Sequence, residues 1–309
     1  MTVCDMHSDT LTKRGAARLF SKYNRSARCH HLQFFAHFVP AQREAAEKRR
    51  SRLMKMHSKY LRLSKKEGIS NIASPEDLQC AEKGSNNAMS LFSIEGGGGL
   101  FADSPELITL FNSGLRILGL AWDKNELCAS SKEIGSDDYG LTEKGIALVR
   151  KIRELGIIPD LSHMSDRSVF KLFEETETPV LATHSNFRTV CSARRNLADK
   201  TAKEIARRGG LIGINIYPPH LSGSNNADKY DIIRHIDYGL SLVGESAIAL
   251  GLDIDGTGGI YPQGFGESAS IHDSLYDTLI SEYQSSTLEK IFSTNVLNFL
   301  QSNLKQHKR

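Results

Sequence analysis

The chain has 309 residues, of which 39% are hydrophobic and 24% charged, a balance that supports a large buried core and excludes an intrinsically disordered chain. Its formal charge of +3 gives no general electrostatic argument for nucleic acid as a partner. No stretch has the apolar length of a secretion signal or a membrane span, so a soluble cytoplasmic protein is expected.

Ten residues between Arg43 and Lys66 are Arg or Lys, opposed by Glu44 and Glu47, and this local basic run is read as a solvated helix face. Cys4, Cys29, Cys80, Cys128 and Cys191 are scattered, without a C-x-x-C pair, which fits a reducing compartment better than a disulfide framework.

A first strand is expected over Thr2–Met6 and a second over Leu32–Val39, ended by Pro40, with a polar, irregular stretch from Arg14 to His31 between them. Pro40 to Leu63 reads as a long helix with Ala45, Ala46, Leu53, Met56 and Tyr60 on its apolar side. Ser74-Pro75-Glu76-Asp77 has the form of a capping box with proline in the first turn. The third strand, Met89–Glu95, runs into Gly96–Gly99, which lacks the residue order of a phosphate-binding loop and leaves Glu95 uncrowded.

Ser104-Pro105 opens a helix that Gly114 closes, and Leu115–Ala121 is the fourth strand. A polar loop, Asp123–Tyr139, precedes a helix over Thr142–Leu155 with Gly156 placed to cap it. Ile157–Asp160, Pro179–Thr183 and Leu211–Asn215 are the next three strands, with a helix from Asp199 to Gly209-Gly210 between the last two. Tyr230–Leu242 is a helix, Ala247–Asp253 the eighth strand and Ile271–Glu282 a further helix. Ser286-Thr287-Leu288-Glu289 reads as a second capping box, opening a C-terminal helix at about 287–304. Eight short apolar strands separated mainly by helices predict an α/β fold, a closed (β/α)8 TIM barrel forming a single domain over residues 1–309.

In such a barrel the C-terminal ends of the strands surround one pocket. His7 and Asp9 leave the first strand, Glu95 the third, His184 the sixth and Asp253 the eighth, while His163 follows the fifth. These are ligand types that zinc and similar divalent cations accept, and a carboxylate such as Glu95 can bridge two ions. A lone histidine is more often a hydrogen-bonded structural group, so the argument rests on the shared placement. Cys29-His30-His31 is not expected to bind metal, and Asp255 is assigned to a turn, leaving the chemistry to Asp253.

The chain resembles the membrane dipeptidase (renal dipeptidase) family of metal-dependent amidohydrolases. The matching segments are Asp5-Met6-His7-Ser8-Asp9-Thr10, Ser93-Ile94-Glu95-Gly96, Asp160-Leu161-Ser162-His163-Met164-Ser165, Thr183-His184-Ser185-Asn186, Arg195-Asn196 and Gly251-Leu252-Asp253-Ile254-Asp255-Gly256, in family order over nearly the whole chain. The resemblance implies a dipeptidase, acting also on dipeptides with a C-terminal D-residue, with two divalent ions of which zinc is the first candidate, and a homodimer.

It also implies roles. His7 and Asp9 would ligate one ion, His163 and His184 the other, and Glu95 would bridge them. Asp253 would handle protons during catalysis. Arg195 would receive the substrate's terminal carboxylate, a task that suits its planar charged fork, with Asn196 beside it. Where family members have a histidine after the fourth strand, this chain has Trp122 in the substrate pocket, with one donor and no imidazolium. Cys128-Ala129-Ser130-Ser131 and Ser293-Thr294-Asn295 also depart from the family pattern. These departures keep two alternatives open: an amidohydrolase acting on an N-acyl amino acid or lactone, and a catalytically weak metabolite-binding barrel.

Overall fold

The computed structural model describes residues 2–18, 30–40, 44–83, 88–266 and 271–305. Its strands are β1 (Thr2–Ser8), β2 (His30–Phe38), β3 (Ser70–Ile72), β4 (Ala88–Glu95), β5 (Leu115–Gly119), β6 (Ile158–Asp160), β7 (Leu181–Ala182), β8 (Leu211–Ile214) and β9 (Ile248–Leu250). All pair in parallel, as strands joined by long crossovers must. The order β2-β1-β9-β8-β7-β6-β5-β4 is closed by β2 pairing with β4 from His31↔Ala88 to Phe38↔Glu95, which makes the predicted eight-stranded barrel. β3 was not anticipated; it flanks the first half of β4 through Ser70↔Met89 to Ile72↔Leu91, below the point where β5 takes over.

The two-residue side-chain period of a strand assigns each residue to a layer. Cys4, Met6, Leu32, Phe34, Met89, Leu91, Ile117, Ile158, Leu181, Leu211 and Ala249 fill the interior in one cluster with Val296, Phe299 and Leu300 of the last helix. Their neighbours Val3, Phe35, Phe92, Leu118, Ala182, Ile212 and Leu250 face the helical layer.

That layer begins with α1 (Ala46–Glu67), α2 (Pro75–Lys83) and α3 (Pro105–Asn112), followed by α4 (Glu143–Leu155), α5 (Asp166–Glu175), α6 (Asp199–Arg207) and the short α7 (Pro218–Leu221). It ends with α8 (Lys229–Val243), α9 (Ile271–Leu279), α10 (Ser285–Glu289) and α11 (Asn295–Asn303), the last two joined through a π-helical stretch, Lys290–Thr294.

The first long helix begins at Ala46, later than Pro40, and ends where Gly68 turns left-handed at φ 66 and donates to Ser64 O. Several of its basic residues are engaged: Arg49 pairs with Glu126, Arg50 with Glu106 and Arg52 with Glu44, and Lys59 donates to Leu11 O. Ser74 caps α2 by accepting Asp77 N–H, but Asp77 reaches back to Ala73 N–H, so the box closes one residue early. Gly156, left-handed at φ 84, closes α4 as expected, and Thr142 caps its start by accepting Gly145 N–H.

The second predicted capping box does not form. The helix starts two residues sooner, at Ser285, behind Gln284 with no side-chain cap, and Thr287 Oγ1 donates to Glu245. In the Gly96–Gly99 run, Gly97 N–H pairs with Gly119 O and Gly99 N–H with the Glu126 carboxylate, so neither is available to a phosphate. Cys29 lies outside the described residues, and Cys80, Cys128 and Cys191 are free thiols. Among the described residues no helix is long and apolar enough to cross a membrane.

Candidate metal centre

The centre starts from an irregularity in β1. Asp5 pairs with Gln33 but Ser8 with Phe35, so β1 holds one extra residue there, a bulge. Met6 packs in the barrel interior while the adjacent His7 reaches the end of the barrel and meets Glu95. Asp9 lies just beyond the strand, where the chain turns into a short 3-10 turn.

Glu95 ends β4 and is buried. One oxygen, Oε2, lies 3.6 Å from His7 Nε2; the other, Oε1, lies 2.8 Å from His163 Nε2 and 3.3 Å from His184 Nε2. The Nε2 atoms of His163 and His184 are 3.0 Å apart, and the rings of His7 and His184 lie with centroids 3.7 Å apart. On the other side of His7, Asp253 Oδ1 is 3.9 Å from Nε2. His7, Glu95 and His184 form one group, and His7, Asp9 and Asp253 another, in which the ligand atoms all lie within 4.8 Å of one another.

Hydrogen bonds behind the ligands fix which ring nitrogen faces the centre. Asp160 accepts Ser162 N–H, Thr183 N–H and, at 2.6 Å, the Thr183 hydroxyl. With its proton committed to Asp160, Thr183 Oγ1 accepts His184 Nδ1–H at 2.9 Å. The lone pair of His184 Nε2 therefore points at Glu95 and His163.

A lone pair facing a carboxylate and a second imidazole nitrogen needs a proton or a cation between them. His7 Nε2 and Asp9 Oδ1 are buried without a hydrogen-bond partner among the described residues, so the donor set fits divalent cations on the structure's own terms.

Charge in the metal-free chain tells the same story. Burial disfavours a protonated His7, but Glu95, Asp9 and Asp253 outweigh it and raise its pKa to about 10. Burial and Arg195 lower His163 to about 4, and burial with His7 drives His184 well down. Burial and Glu95 raise Asp9 well above the usual range, whereas the histidines overcome burial at Glu95 and lower it. A proton on His7 thus stands where a cation would serve all the carboxylates.

His163, Asp253 and Asp255 adopt positive φ (68, 61 and 67°), a conformation disfavoured for residues bearing a side chain. Gly256 follows because a Cβ there would collide with Asp253 Oδ1 and Asp9 Oδ2. The two nearby aspartates part company: Asp255 accepts Thr10 Oγ1–H at 2.7 Å, while Asp253 lines the cavity and takes Asn215 Nδ2–H at 3.2 Å.

The cavity holds about 630 Å³ and is lined by Asp9, Glu95, His163 and Asp253 at one pole. Trp122, Lys132, Arg194, Arg195, Tyr217 and His220 also line it. Arg195 donates to Ser185 Oγ at 2.7 Å and to His184 O at 2.8 Å, and its Nε–H is buried without a partner. Trp122 stands edge-to-face with Phe38, with Lys132 Nζ 4.0 Å from its ring centre. Asn196 is not among the cavity's lining residues; its amide holds Cys191 O and His220 O.

Sequence reasoning did not single out Lys132, Arg194, Tyr217 or His220. Lys132, Arg194 and Tyr217 come from loops without periodicity and His220 from the short α7, and the doublet Arg194-Arg195 was the one readable signal.

A parallel barrel carrying imidazoles and carboxylates at its C-terminal mouth belongs among the metal-dependent hydrolases. Residues 22–308 match the model of the family described as "Membrane dipeptidase (Peptidase family M19)". The chain is 31% identical over 218 residues to the "Uncharacterized protein in pqqA 5'region" of Klebsiella pneumoniae, covering 68% of this chain and 80% of that one. It is 28% identical over 235 residues to Dipeptidase 3 of Mus musculus, covering 73% of this chain and 47% of the mouse protein. A metallo peptidase from Rhodobacter sphaeroides, solved with a phosphinate mimic of L-Ala-D-Ala, shares the fold with a TM-score of 0.84 at 22% identity, over 99% of each chain. This chain belongs to the membrane dipeptidase family and is a metal-dependent dipeptidase.

Proposed function

We propose that the protein is a two-zinc dipeptidase in which His7 and Asp9 hold one ion, His163 and His184 the other, and Glu95 bridges the pair. The observation that carries this reading is Glu95, with Oε2 turned to His7 and Oε1 to His163 and His184. Nitrogen and carboxylate ligands suit zinc. When bound, the cations supply Lewis acidity, which acidifies water and polarises the scissile carbonyl.

The chain's own groups do the rest. Asp253 takes a proton at Oδ1 and returns it to the departing amine, while Asn215 holds Oδ2. Burial raises the Asp253 pKa to about 6, with His7 opposing and Glu95 reinforcing the shift, so this carboxylate holds a proton more readily than an exposed one. Arg195, pinned to His184 O and Ser185 Oγ, presents its remaining N–H groups to the substrate's terminal carboxylate. Trp122 forms part of the cavity wall, and Asn196 supports substrate binding by holding His220 O.

The whole chain acts as one domain, working as a cytoplasmic homodimer. The free thiols Cys80, Cys128 and Cys191 support a reducing compartment.

Metal analysis of the purified enzyme, joined to a kinetic screen of L,L- and L,D-dipeptides against their N-acylated counterparts, tests the reading. Two zinc ions per chain and cleavage of free-amine dipeptides, L,D forms included, are expected. Cleavage of only the blocked compounds would replace it with an N-acyl amino acid hydrolase, and folded protein that binds no metal would end it.

A further inference from the structure

Beneath the metal centre lies a second buried set of ionisable groups that the mechanism leaves unused. Asp5, fully buried in β1, accepts His7 N–H at 3.2 Å and Leu252 N–H at 3.0 Å on Oδ1. Its Oδ2 accepts His272 Nε2–H from α9 at 3.0 Å. His272 is itself buried, and His31 of β2 packs edge-on against it with ring centroids 4.6 Å apart.

The place of this carboxylate gives it meaning. The β1–β9 seam pairs at Asp5↔Leu250 and again at Ser8↔Ile254, where Asp9 N–H donates to Ile254 O at 2.8 Å. Between these points the ladder is open: β1 carries its bulge, and the chain beyond β9 enters the left-handed turn at Asp253. That gap strands the N–H groups of His7 and Leu252, the first belonging to a proposed ligand and the second adjoining the proposed base. Buried backbone donors require acceptors, and one Asp5 oxygen serves both.

We propose that Asp5, held by His272, is a positioning residue that sets the distance between the His7–Asp9 half-site and Asp253. Resting on the ligand assignments above, the proposal makes Asp5 and His272 a clamp across the barrel seam: Asp5 spans the two strands, and α9 fixes the carboxylate from outside. Groups that orient metal ligands from behind typically contribute 10–100-fold to metal affinity or activity.

The test is chelator competition and metal stoichiometry on wild type, Asp5→Ala, Asp5→Asn and His272→Ala, with kcat and KM on one dipeptide and unfolding of the metal-free forms. Asp5→Ala should weaken one of the two metal sites about 10–100-fold and lower kcat more than it changes KM. Asp5→Asn, which keeps one oxygen for both N–H groups, should recover most of that loss. His272→Ala should weaken the same site by a smaller factor.

If Asp5→Ala lowers only the unfolding temperature and binds both ions as wild type does, Asp5 is structural and the proposal fails. Should Asp5→Ala not fold, wild-type metal affinity in His272→Ala overturns it equally. A wild-type protein without two bound ions would instead strike at the ligand assignments, so the two failures are distinct.

Discussion

The two ends of this barrel are built from the same strands under opposite rules. At the lower end Leu32, Phe34, Met89, Leu91 and Leu211 meet Phe299 and Leu300 of α11, and shape with dispersion suffices because no polar side chain in that cluster needs a partner. At the upper end three imidazoles and three carboxylates crowd together, two of their polar atoms lack partners, and both His163 and Asp253 hold a left-handed backbone. One end is complete without a ligand and the other is complete only around cations. The lower end supplies stability that the upper end gives up for chemistry.

Breaking the upper end should therefore abolish turnover without unfolding the chain. Asp253→Asn removes the proton acceptor but keeps a residue tolerant of positive φ, so kcat should fall about 10²–10⁴-fold while the unfolding temperature holds or rises. Metal content decides the role: two retained ions support a base, whereas loss of one would make Asp253 a ligand beside His7 and Asp9, with which its carboxylate also clusters.

The reverse experiment is Phe34→Ala, at a fully buried side chain of the lower cluster. It should cost about 3–5 kcal/mol in denaturant unfolding and leave KM unchanged. A stability loss under 1 kcal/mol, well below that range, would show that the barrel interior recloses around the cavity and that the lower end is not the anchor claimed here.

Much of this division could be read from the sequence, and the parts that could not share a cause. The eight barrel strands were legible because each is a short apolar run, and the candidate ligands because they stand at or just beyond the ends of those runs. α5 escaped notice although Val169, Leu172 and Phe173 give it a buried face behind the Ser165 cap. β3 is three residues long and pairs with half a strand, too little for a period to show.

The choice of Asp253 over Asp255 agrees with the contacts made, but the reason, a left-handed turn that sends Asp255 to Thr10, is a backbone property with no local signature. Asp5 and His272 lie 267 residues apart, and nothing in either neighbourhood announces the other. Local propensity reports what a segment buries, not which distant group will meet it.

The smallest effect should come from His31, a titratable residue set near the lower end, where β2 pairs with Val3 of β1 and Ala88 of β4. Burial, with a smaller push from His272, lowers its pKa to about 3. The unfolded chain titrates this histidine near 6.5. Above that value both states are neutral and His31 makes no pH-dependent contribution. As pH falls from 6.5 towards 3 the unfolded state binds a proton that the folded state refuses, so stability is lost progressively on acidification.

His31→Gln should flatten the fall of unfolding free energy between pH 6 and pH 4 by about one proton, or ~1.4 kcal/mol per pH unit, and leave turnover at neutral pH unchanged. Comparing the two chelated proteins isolates that proton, because His57 and His235, which burial also lowers to about 4, contribute equally to both and cancel in the difference. An identical slope in wild type and variant would mean that His31 takes up its proton inside the fold. The contrast between a dry lower end and a charged upper one would then fail on the strand that both ends share.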